Sequence, residues 1–185
     1  MTANPRLIPH SRWVAPTLAV ADDGLPIVFS IQEAFNYHGY DAVGGVALGF
    51  RLLQRAVALL ADEGELPERR GLTLFTAFPG MGARDVFELV SRVVTEGRFT
   101  LDVDFTHPGA QKGIAGSFYF EFGYRGRRVA LAPAAGQPPE EFLAAGRASK
   151  RADATAETRR KWIEAKYRLA NTLLGIDARD AIRVL

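Results

Sequence analysis

The chain has 185 residues, 48% hydrophobic and 24% charged, with 23 basic against 21 acidic side chains and no cysteine. That length suits one domain with a sizeable core, and the composition excludes disorder, collagen-like repetition and coiled coil as readings of the whole. The missing cysteines exclude a disulfide scaffold, a thiolate nucleophile, an iron–sulfur cluster and sulfur-ligated zinc, while the near-balance of charge gives no argument for nucleic acid by itself.

Residues 1–29 read as an N-terminal arm with Pro5 and Pro9, followed by a short strand around Leu18 to Val20 and the turn Asp22-Asp23-Gly24. Residues 30–185 read as the α+β domain. Ser30 with Glu33 three positions on is a reciprocal capping-box pattern, so a helix is expected there, ending near Gly39. Val46, Phe50, Leu53, Val57 and Leu60 recur at intervals of 4, 3, 4 and 3, the spacing of one apolar helix face. Leu52, Ala56 and Leu59 widen that face, which predicts one long buried helix. Leu72 to Phe78 favours a strand, and the loop Pro79 to Gly82 leads into a helix carrying Val86, Leu89, Val90 and Val93. Phe99, Leu101, Val103 and Phe105 alternate with polar residues, which predicts a half-buried strand over that whole stretch. Phe118, Phe120 and Phe122 alternate again, and a hairpin through Tyr124-Arg125-Gly126 should return along Arg128 to Leu131. A short helix with Phe142 and Leu143 and a long one from about Thr155 to Leu174 complete the chain. The fold class is therefore α+β, a helical layer on a mostly antiparallel sheet.

No apolar run approaches the ~20 residues of a bilayer span. The N-terminus lacks a basic region followed by an apolar core and a small-residue cleavage site. A cytoplasmic protein without membrane contact is expected.

The densest polar cluster in an apolar context is Asn36-Tyr37-His38-Gly39-Tyr40-Asp41. A histidine, two phenols and a carboxylate at a helix junction can supply acid, base and orienting groups to one pocket, with His38, Tyr40 and Asp41 as the catalytic candidates. The same residues can instead finish a helix and pack at the surface. Gly44, Gly45 and Gly49 would let a backbone or a ligand approach the next helix closely, and exposed amides at such a start attract anions. Gly80 and Gly82 resemble a phosphate-binding turn in outline but lack the Lys-Ser/Thr partner and the third glycine, and Asp85 can cap the helix that follows. His10, His38 and His107 lie too far apart in sequence for a two-histidine metal motif, so no metal is expected. No serine stands in a Gly-x-Ser-x-Gly elbow. Between Arg147 and Arg168 eight basic residues face three acidic ones. Trp162, Ala165, Leu169 and Leu173 in that stretch have the spacing of a packed helix face, which makes nucleic-acid binding the last of the readings and predicts a buried Trp162.

His38-Gly39-Tyr40-Asp41-Ala42-Val43-Gly44-Gly45, running into Val46 to Arg51, resembles the opening of the FmdE-like family of formylmethanofuran dehydrogenase subunits. That pattern reads His-Gly-His-x-Cys-Pro-Gly, then a small apolar run, Gly, an aromatic and Arg. Tyr40 stands where the family has its second histidine, and Ala42 or Val43 where it has cysteine. Thr73 to Val93, with Asp85 at the family's aspartate, and Gln111-Lys112-Gly113 before the Phe118 strand look like later segments of it. The resemblance spans roughly residues 30–185.

It implies an α+β domain, a homodimer, and a small-molecule site at the former metal position. There an organic or anionic ligand would be bound and, if the protein is an enzyme, transformed by metal-independent acid/base chemistry. His38 would be the acid or base, Tyr40 a donor, Asp41 or Asp85 the orienting carboxylate, Gly44 and Gly45 the close approach, and Arg84 or Lys112 an anion clamp. A non-catalytic partner subunit, with the Trp162 helix or the Phe118 strand as interface, is the alternative. No cofactor is identified, and a haem held by His38 stays open, since one axial histidine suffices.

Overall fold

The computed structural model describes residues 16–185, so the proline-rich arm expected before them, with His10, lies outside the described residues. β1 (Thr17–Asp22) and β2 (Leu25–Ser30) form an antiparallel hairpin. Its two-residue turn puts Asp23 and Gly24 at φ 52° and 75°, the left-handed pair that matches strand twist. The short strand expected near Leu18 is thus half of a hairpin, and Leu18, Val20 and Phe29 join the main core.

Ser30 caps α1 (Ile31–His38): its hydroxyl accepts from the Glu33 amide while the Glu33 carboxylate accepts from the Ser30 amide at 2.7 Å. Gly39, at φ 88°, ends the helix. α2 (Val43–Leu60) is the predicted buried helix, packed on three sides by α3 (Met81–Ser91), α5 (Ala156–Leu174) and the sheet. Against the expectation that no segment approaches a bilayer span, α2 is by length and composition apolar enough to cross a membrane despite Arg51, Gln54 and Arg55, and most of it is buried inside this fold.

The main sheet runs β4-β3-β5-β6-β7, with β3 (Thr73–Thr76), β4 (Phe99–Leu101), β5 (Phe120–Tyr124), β6 (Arg127–Pro133) and β7 (Ile182–Val184). Only the β3–β4 pair is parallel, which makes the class α+β as read from the sequence. α4 (Glu140–Ser149) packs against α5, and α6 (Ala178–Ala181) leads into β7.

β4 is shorter than the alternation of Phe99 to Phe105 predicts. The Asp102 carboxylate accepts the Asp104 amide at 3.1 Å, a local turn that competes with the ladder and leaves Leu101 and Val103 exposed.

Arginines finish two helices. Arg51, buried on α2, donates to the Leu173 and Leu174 carbonyls at 2.9 Å each, and Arg69 donates to the Leu89 and Val90 carbonyls at the end of α3. These cations satisfy orphan acceptors at the negative ends of α5 and α3. Burial pushes the Arg51 guanidinium down from its usual range, and the charge of Asp177 works the other way.

Candidate functional site

Because Gly39 stops α1, His38 is the last helical residue and its ring turns to α3. Its Nδ1 stands 2.7 Å from Asp85 Oδ2, a contact spanning 47 residues of sequence. The carboxylate is acceptor-only when ionised, so Nδ1–H donates and Nε2 is left as the free ring nitrogen. Nε2 is buried and has no hydrogen-bond partner among the described residues. Arg84 Nη1 lies 3.7 Å from the other Asp85 oxygen. Three of the residues singled out in the sequence therefore meet, and Asp85 serves His38 rather than capping α3, whose N-cap is Gly80. The contact ties α1 to α3.

The remaining candidates have other partners. Tyr40 is half-exposed, stacks on Phe35 with ring centroids 5.9 Å apart, and its hydroxyl accepts from Gln32 at 3.0 Å. Asp41 pairs with Lys166 at 3.2 Å, and Lys166 also donates to the Asp41 carbonyl. Lys112 is exposed beside His107 and Ser117 in a separate cleft. It forms no clamp with Arg84.

The glycines serve helix packing. A Cβ on Gly44 would stand 3.2 Å from the Lys166 carbonyl of α5. One on Gly49 would stand 2.8 Å from Ala83 Cα of α3, and one on Gly82 would stand 2.7 Å from the Ala42 carbonyl. Gly45 faces Gly82 at ordinary contact distance and also opens onto a cleft.

That cleft, of about 200 Å³, is the site the sequence reading did not assemble. Its floor is the meeting of Ala42 and Gly45, where α2 begins, with the Pro79 to Gly82 turn that follows β3. Its walls are aromatic. Phe78 stacks on Phe118 with centroids 4.6 Å apart, and Phe142 tilts against Trp162 at 4.7 Å. Trp162 is half-buried here rather than the core residue its helical spacing suggested, because its ring faces the cleft between α4 and α5.

Among the described residues, Lys150 and Lys166 are the charged ones of this lining, which holds no acidic side chain. Lys166 lies 5.6 Å over the Trp162 ring. Its side chain is 13% exposed whereas that of its partner Asp41 is 96% exposed, so the carboxylate is solvated and offsets the field of the ammonium at the cleft only in part.

The backbone adds to this field. α1, α5 and α6 have capping side chains, and α4 has Glu140 and Glu141 in its first turn. α2 and α3 have neither a capping side chain nor an acidic residue in the first turn. Their positive ends abut at Gly82 and Ala42, on the cleft floor. Elsewhere in the late basic stretch, Arg147, Arg151, Arg160 and Lys161 pair with Glu140, Asp153 and Glu157.

Among the described residues, no three of His, Asp and Glu converge as metal ligands. A haem on His38 does not fit either: Nε2, the nitrogen left to ligate, is closed in, and His38 lines neither this cleft nor the wider groove between α4 and α5. In comparisons with protein families, curated proteins and solved structures, nothing matches this chain.

Proposed function

We propose that the protein binds a small organic anion of the aryl carboxylate class in the cleft between α2, α3, α4 and α5. The observation that carries this reading is the lining itself: aromatic walls, two lysines, no acid, and two uncapped helix ends on the floor. Aromatic faces take the ring of such a ligand, while amides and ammonium groups take its charge. At about 200 Å³ the cleft is below the usual ~300–1,000 Å³ of sites for drug-sized ligands, which suits a single ring. The resemblance of His38 to Arg51 to the opening of the FmdE-like family supports a ligand site at this junction, since Ala42 and Gly45 of that stretch line the cleft.

The test uses the indole on the wall. The sequence has two tryptophans, Trp13 and Trp162, so in a Trp13→Phe background all indole fluorescence reports on the cleft. Titration with benzoate should change that fluorescence saturably, and benzamide and inorganic phosphate should bind at least about tenfold more weakly, a gap of ~1.4 kcal/mol. Equal responses to benzoate and benzamide would overturn the anionic reading.

A further inference from the structure

Resting on the aryl-acid reading of the cleft, we infer that Phe142 is its specificity-determining residue, a wall that closes the cleft from the α4–α5 groove behind it and so selects acids of a single ring over longer ones. Phe142 lines both spaces, the cleft of about 200 Å³ and the groove of about 580 Å³. Its neighbour Leu143 is buried and anchors α4, while Phe142 itself is only half-buried. α4 has no slack against the cleft wall, since a Cβ on Gly146 would stand 2.1 Å from Ile114 Cδ1 and 3.2 Å from the Trp162 ring. The Phe142 ring is therefore a shared wall between the two spaces.

The chemistry of the groove gives the ligand a direction. Pro139, Ala145 and Leu169 offer apolar surface, and on the lining Glu141 and Glu164 are balanced by Lys161 and Arg168, so a carboxylate gains less there than beside the two lysines of the acid-free cleft. Gln137, also on the groove lining, has its Oε1 buried without a donor among the described residues. That oxygen is closed to solvent as it stands, and a turn of the Gln137 side chain toward the groove would let a hydroxyl or N–H on the ligand satisfy it. The ligand class that fits both spaces, once Phe142 is removed, is an acid with a second ring that carries a donor at its far end.

The experiment extends the Trp162 titration to benzoate, biphenyl-4-carboxylate and 4′-hydroxybiphenyl-4-carboxylate, against the Trp13→Phe protein and the same protein with Phe142→Ala or Phe142→Val. With Phe142 present, benzoate should bind about tenfold tighter than either biphenyl acid. Either truncation should reverse that order, with the hydroxylated acid the tightest, and Gln137→Leu added to the truncation should erase the advantage of the hydroxyl. Two replacements are used so that a folding failure of one leaves the other to decide. If both truncated proteins rank the acids as the parent does, the partition is refuted while the cleft reading stands. If benzoate does not bind the parent, the cleft reading itself falls and takes this inference with it.

Discussion

Replacing Gly82 with alanine tests whether the starts of α2 and α3 meet as closely as the cleft floor requires. The added Cβ would stand 2.7 Å from the Ala42 carbonyl oxygen, 2.9 Å from the Val46 nitrogen and 3.1 Å from Ala42 Cβ. That carbonyl already accepts the Val46 amide at 3.0 Å, so it is not free to turn aside. Restoring an ordinary contact of about 3.5 Å means parting the helices by roughly 0.5–1 Å, which forfeits a quarter to a half of each contact well along the seam. Overpacking of this kind costs ~1–3 kcal/mol, against a gain of at most ~1 kcal/mol from replacing glycine in a helix. The expected net loss is about 1–2 kcal/mol. At a urea dependence of ~1–3 kcal/mol per molar, the midpoint should fall by roughly 0.5–1 M. Gly45→Ala is the matched control, because its Cβ would meet nothing nearer than 3.5 Å. It should leave the midpoint unchanged or raise it. If both replacements raise it alike, helix propensity alone is acting and the close approach is wrong.

Two further outcomes follow from caps at other helix ends. Arg51→Met strips donors from the Leu173 and Leu174 carbonyls, each orphaned group costing ~1–3 kcal/mol, so urea unfolding should show a loss of about 2–4 kcal/mol. Arg51→Lys should recover less than half of it, since an ammonium cannot reproduce the fork, and a loss under ~0.5 kcal/mol for Met would contradict the capping role. For Glu33, the Ser30 amide and then the Ser30 hydroxyl hold the carboxyl below its ordinary value near 4.5. A folded-state value that is depressed means the stabilisation is complete above that ordinary value and is lost as pH falls through the folded one. The urea midpoint of Glu33→Gln should therefore fall less steeply than that of the parent as pH is lowered below 4.5, and parallel curves down to pH ~3 would sink the assignment.

How much of this was legible depended on the reach of each interaction. The Ser30–Glu33 box, the face of α2 and the Asp23-Gly24 turn are each written within a few residues, and each forms where its local pattern stands. β4 fails at Asp102 because one side-chain bond to the Asp104 amide outbids a favourable alternation, and alternation carries no trace of that competition. Gly44 and Gly49 are points of close approach, as their missing side chains suggest, but what approaches them is α5 and α3, which lie far along the chain. The His38–Asp85 contact was within sight, since Asp85 is one of two carboxylates the sequence offers for the role. The cleft was not, because its walls come from the Pro79 turn, the Ile114 to Phe118 segment, α4 and α5, and of these only the turn carries a local pattern, the Gly80 and Gly82 outline of a phosphate-binding loop. A further signal was available: Trp162 and Lys166, four residues apart on α5, share the side that the apolar stripe of Leu169 and Leu173 leaves at the helix's N-terminal half.

The distribution of helix caps bears on the same cleft. An acidic residue in a first turn stabilises by ~0.3–1 kcal/mol, and the chain uses that device or a capping side chain on α1, α4, α5 and α6. It forgoes both on α2 and α3, the two helices whose positive ends abut, where the benefit would be largest. A carboxylate in either first turn would fill the floor of the cleft, whereas Asp41, just before the α2 N-cap, pairs with Lys166 from the solvent side and stays off the lining. Stability withheld at one place while supplied at the others is what a binding site for a mobile anion demands, because a fixed internal anion would compete with the ligand for the same amides. On the anion-binding proposal, the uncapped ends of α2 and α3 and the acid-free lining are one feature: the ligand supplies the cap that the sequence omits.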